Sequence, residues 1–128
     1  MRYYFSKMLK TSFDDALARV VAELKKEGFG ILTEIDVRAA LKEKLNVDYK
    51  KYRILGACNP TFAYEALQVE DKIGTMLPCN VIVQEISAGV VEVAAIDPIA
   101  SMQAIDNPKL RSVAEQVQAM LKKVIETL

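Results

Sequence analysis

From Leu110 onward the chain repeats apolar residues at intervals of three and four: Leu110, Val113, Ala114, Val117, Leu121, Val124, Ile125 and Leu128. That spacing sets all of them on one face of a helix. Asn107 before Pro108 marks its start, since Asn caps free N–H groups and Pro at the first helical position gives up no bond. A helix over 108–127 with so wide an apolar stripe has to lie against an equally apolar surface. The rest of the chain must supply that surface, and its alternating stretches predict a sheet.

Residues 2–8 alternate, with Tyr3 and Phe5 on one side and Tyr4 and Ser6 on the other, the period of a strand built from β-favouring aromatics. A first helix runs from Ser12 to about Lys26, opened by a Ser12-x-x-Asp15 capping pattern, striped by Phe13, Leu17, Val20, Val21 and Leu24, and stopped at Gly28. Phe29 to Ile35 reads as a strand, and Asp36 caps a second helix that ends near Asn46. A third strand over 52–58 turns through Asn59-Pro60 into a helix over about 60–69. Its apolar positions are Phe62, Ala63, Ala66 and Leu67. After a loop over 70–78, residues 79–87 and 90–96 form a hairpin around Ala88-Gly89. Asp97-Pro98 starts a short helical turn before the last helix.

The predicted order is β-α-β-α-β-α-β-β-α. Continuous alternation suggests parallel pairing, and the hairpin requires at least one antiparallel pair. We therefore expect an α/β fold of α+β-like character: a two-layer sandwich with a mixed five-stranded sheet and most helices on one face. A length of 128 residues predicts a single domain over 1–128.

Composition narrows the chemistry. Lys+Arg and Asp+Glu balance at 17 each, so no broad basic field exists to hold phosphates, and nucleic acid is not an expected partner. The aromatic and basic run Tyr49-Lys50-Lys51-Tyr52-Arg53 reads as a solvated strand entrance. No stretch approaches the roughly 20 apolar residues of a membrane helix, and residues 1–10 lack the long apolar run of a signal peptide. No membrane partner and a cytoplasmic location are expected. Histidine is absent, which removes Ser-His and Cys-His nucleophile pairs, the commonest general base and the commonest metal ligand. No phosphate-binding glycine loop, dinucleotide fingerprint or hydrolase elbow occurs. No cofactor, no metal and no catalytic residue are predicted.

Two Cys-Asn pairs remain. Cys58-Asn59 lies at a strand-to-helix corner, and Cys79-Asn80 opens the following strand after Pro78. Cys58, Asn59, Cys79 and Asn80 are the candidate ligand-binding residues. As structural residues they would be two small buried hydrophobes and two capping amides. As functional ones they would form a shared thiol site, with Cys58 made modestly more acidic by the helix dipole if burial does not oppose it. Met76, three residues before Cys79, adds a weak soft-metal pattern. Glu85 and Glu92 could face each other across the hairpin, more simply as solvated cross-strand residues than as a catalytic pair.

The segments GACNPxxAYxAL (56–67), LPCNVIVxE (77–85) and AAIDP (94–98), with EIDVRAALKEKL over 34–45, resemble the bacterial and archaeal domain of unknown function 302 family. The resemblance covers nearly the whole chain. It implies a compact, self-associating α/β domain and carries no catalytic residues over. The functional expectation is a non-catalytic homo-oligomeric module, a homodimer, that binds a small ligand or a partner. The alternatives are a thiol-based redox enzyme or sensor using Cys58 and Cys79, and a purely structural assembly module. The hairpin is expected to be an edge that a second copy covers.

Overall fold

The computed structural model describes residues 2–128; Met1, the first residue of the expected 1–128 span, lies outside them. Five strands form one sheet: β1 (Tyr4–Leu9), β2 (Gly30–Asp36), β3 (Tyr52–Cys58), β4 (Cys79–Ser87) and β5 (Val90–Ile96). Five helices accompany them: α1 (Phe13–Lys26), α2 (Val37–Leu45), α3 (Pro60–Val69), the single turn α4 (Pro98–Ser101) and α5 (Pro108–Thr127). A 3-10 helix, Asp71–Met76, sits between α3 and β4.

The helix starts follow local chemistry. Ser12 accepts from the Asp15 N–H at 3.1 Å, and Asp36 accepts from the Ala39 N–H at 3.0 Å. Asp97 accepts from the Ile99 N–H and also from Gln118 Nε2, both at 3.0 Å, which makes it a cap. Asn46 ends α2 in the left-handed region, φ 53°, where Asn is tolerated.

The sheet order is β1-β5-β4-β3-β2, and every neighbouring pair is antiparallel. This corrects the expected mixed sheet. The reason lies in the return legs. After α2 the irregular segment 46–51 brings the chain back to the end of the sheet it left, and the 3-10 helix does the same after α3. Neither helix is a crossover. Only α1 carries the chain across, from β1 at one edge to β2 at the other. Its 14 residues span roughly 21 Å, close to the roughly 19 Å between the outer strands of a five-stranded sheet.

The hairpin position is corrected as well. β4 and β5 are interior strands, and β1 and β2 are the edges. The Glu85–Glu92 pairing is not formed: Glu92 stands opposite Gln84, which donates to it at 2.8 Å, and Glu85 stands opposite Val91.

One face of the sheet carries Leu9, Leu55, Ala57, Cys79, Val81, Val83, Val91, Val93 and Ala95, all buried. α1 and α5 pack on this face. All eight predicted apolar positions are buried, seven within α5 and Leu128 just past its end. In α1 the buried set is Phe13, Ala16, Val20 and Leu24, while Val21 is exposed. No helix of the described residues is long and apolar enough to cross a membrane.

Candidate functional site

At the end of the sheet where β3 finishes and β4 begins, the helical layer does not close. An open pocket of about 290 Å³ remains. Its floor is Ala57, Cys58 and Cys79; α3 lines one side with Phe62, Ala63, Ala66 and Leu67. α5 contributes Leu110, Val113, Ala114 and Val117, and Phe29, Leu32, Leu77, Pro78, Pro98 and Met102 complete the wall. No charged side chain is among them. The facing helices carry alanines at 63, 66 and 114, too short to fill the space between them.

Asparagine amides hold the pocket's frame together. Asn59 is at the cap position of α3 but makes no side-chain cap bond. Its Nδ2 donates instead to the Glu27 carbonyl at 3.3 Å and lies 3.9 Å from Met120 Sδ, tying the start of α3 to the end of α1 and to α5. The fit is close. Gly28 has φ +85°, and a Cβ there would stand 3.1 Å from Asn59 Nδ2. Asn107 caps α5 by accepting from the Lys109 N–H at 3.1 Å, and donates to the Val69 carbonyl at 2.8 Å at the end of α3.

Three of the four candidate residues thus meet in one place: Cys58, Asn59 and Cys79 line the pocket. Asn80 does not. Strand alternation sends it to the opposite face of the sheet, where it is exposed. Met76 is outside the pocket lining, and among the described residues no group of three or more Cys, Asp or Glu could hold a metal ion. Residue patterns had not singled out Phe29, Leu32, Met102 or Val113 as site residues. The available signal was the run of alanines at helix positions that should be filled by large side chains.

A family model described as "Domain of unknown function DUF302" matches residues 5–128. The chain belongs to the DUF302 family. Its fold is shared by the crystal structure of the uncharacterized conserved protein DUF302 from Bacillus stearothermophilus, 25% identical, with a TM-score of 0.89 over 98% of each chain. No curated protein matches.

In this DUF302 domain the thiols behave as pocket lining. Burial pushes the Cys58 thiol up from its ordinary value, which corrects the expectation of a more acidic group. The dipole at the start of α3 favours the thiolate, but the apolar walls disfavour any charge, and burial wins. Burial, helped by the neighbouring Cys58, pushes Cys79 from 9.0 up to about 11. At neutral pH both are small, protonated and weakly polar.

A stability effect follows at alkaline pH. Folded Cys79 holds its proton more tightly than the unfolded chain does. Its contribution is therefore intact below about pH 9 and is lost as pH rises towards about 11. That loss amounts to roughly 2–3 kcal/mol at most. Urea melts of wild type between pH 8 and 11 should fall more steeply than those of Cys79→Ala. Parallel slopes would mean that the thiol is not buried.

Proposed function

We propose that this protein is a non-catalytic module that holds a small, uncharged, largely apolar ligand in the pocket between α3, α5 and the sheet end, and that it works as a homo-oligomer. One observation carries the ligand reading: a preformed, open cavity of about 290 Å³ whose lining lacks any charged side chain. A dry apolar cavity of about 150 Å³ accommodates one benzene ring. The space here suits a ligand of about two fused rings or an aliphatic chain of similar bulk. Any charge on it would have to stay at the mouth, because the walls offer a charged group nothing to pair with.

The thiol-redox alternative is less favoured. Attack on a disulfide or peroxide needs the thiolate, and burial withholds it from both cysteines. The lack of histidine and of any carboxylate or lysine in the lining supports a non-catalytic role.

The test is binding of a neutral fluorescent aromatic, N-phenyl-1-naphthylamine, with naphthalene as competitor. Wild type should bind the probe with a blue shift, and naphthalene should displace it. Ala63→Trp, which fills the half-buried wall of α3, should weaken binding at least tenfold while the melting temperature holds or rises. Cys58→Ser should change affinity less than threefold. Probe binding that is absent in wild type, or undiminished in Ala63→Trp, refutes the pocket as the site.

A further inference from the structure

The face of the sheet away from α1 and α5 is arranged as a grid. Strand register aligns Ala94 with Ile82, Ile82 with Ile54, and Ile54 with Ile35, so an apolar row crosses four strands, β5 to β2, and Ser6 ends it on β1. On one side of this row runs Met8, Glu92, Gln84 and Tyr52; on the other, Tyr4, Ile96 and Asn80. None of these side chains is buried, although Ile82 lies on the central strand of the sheet. Met8 is 51% exposed and Ile35 49%.

We infer that this open face is the surface through which two copies of the chain pack, sheet against sheet, with Ile82 next to the two-fold axis. The inference rests on the homo-oligomer reading above and names its surface. Size is the first argument. Five strands about 4.8 Å apart, each about six residues long, make a face of roughly 24 Å by 20 Å. Two such faces bury about 1,000 Å² even before side-chain relief is counted, which is where specific interfaces begin.

Charge is the second. The grid carries one charged side chain, Glu92, already hydrogen-bonded by Gln84, and two cations stand at its rim: Arg2 over Tyr4 at 5.3 Å, and Lys50 over Tyr49, the neighbour of Tyr52, at 5.7 Å. A phosphate-bearing partner finds no cationic field there. A second copy brings the same apolar row and a surround whose one charge, Glu92, is already hydrogen-bonded. Symmetry is the third argument: the greasiest row passes through the centre of the face and the polar residues flank it, so a two-fold rotation lays apolar on apolar. Packed sheets of this kind stand about 10 Å apart.

Sedimentation of wild type at tens of micromolar should give a dimer. Ile82→Glu and Ile54→Glu each set a carboxylate against its own copy and should weaken association at least tenfold, with circular dichroism and probe binding in the pocket retained. Tyr64→Glu, on exposed α3, should leave the dimer intact. A wild-type monomer overturns both the face and the homo-oligomer reading. A monomer that instead co-floats with phosphatidylcholine vesicles assigns the face to a membrane. A dimer equally strong in both glutamate variants overturns the face alone. Should the variants fail to fold, wild-type Met8 gives the same readout: peroxide oxidation must slow as protein concentration rises, and a constant rate refutes the interface.

Discussion

Leu121→Ala is expected to cost about 3–4 kcal/mol of folding stability, within the range for truncating a buried leucine. Leu121 is fully buried in the middle of α5, inside the same cluster as Leu24 of α1 and Val93 of β5. Alanine removes the apolar atoms and leaves a cavity that the sheet below cannot close, because β5 beneath the helix is held by β1 on one side and β4 on the other. Against a total of about 5–15 kcal/mol this is a large fraction. Leu121→Met, which keeps the volume, should cost less than about 1.5 kcal/mol. Lys122→Ala, one residue on and exposed, should stay within about 0.5 kcal/mol. Denaturant melts at one fixed protein concentration decide the matter, since association would otherwise shift the midpoints. A cost below about 1 kcal/mol for Leu121→Ala would mean that α5 is not packed on the sheet.

Gly56→Ala is expected to be nearly as damaging for the opposite reason. Gly56 is buried in β3, opposite Asn80 of β4 and Thr33 of β2. A Cβ built there would fall 2.1 Å from Thr33 Oγ1 and 2.8 Å from Pro78 Cγ. The threonine can rotate away. The proline ring cannot, because it is closed onto the backbone that leads into Cys79. Relief therefore requires moving the start of β4, and overpacking of this kind costs about 1–3 kcal/mol. Because Leu77, Pro78 and Cys79 line the pocket, probe affinity should fall along with stability. Adding Thr33→Ala should restore little of the loss, since the threonine can turn aside in any case and the clash with Pro78 remains. If Gly56→Ala melts within about 0.5 kcal/mol of wild type, the close approach of these strands is wrong.

How much of this was readable in advance differs between elements. The last helix was legible to the residue, because its stripe, its Asn107 cap and its Pro108 start all lie within the segment. The caps at Ser12, Asp36 and Asp97 were legible for the same reason. At Asn59 the cap pattern was right about where α3 begins and wrong about the bond. The amide reaches Glu27 instead, a partner 32 residues away that no local pattern contains.

The candidate site was half legible. Cys58 and Cys79 converge on a pocket, but Asn80 was grouped with them by likeness of motif, and alternation along β4 puts it on the other face. The acidity of Cys58 could not be read at all. A helix start was visible and favours a thiolate, whereas the apolar walls that oppose it come from α5, β2 and the segment around Met102.

By itself, then, the sequence determined the elements and their apolar faces, since periodicity, caps and prolines act between residues three or four apart. It also determined the chemistry that is missing, above all through the lack of histidine. Tertiary structure alone decided the pairing order, the interior position of the hairpin and the pocket. Strand order depends on where each return leg drops the chain, a balance of contacts distant in sequence. The pocket exists only where Phe29, Cys58, Phe62, Cys79, Met102 and Val113 come together around alanines too small to fill the space between α3 and α5.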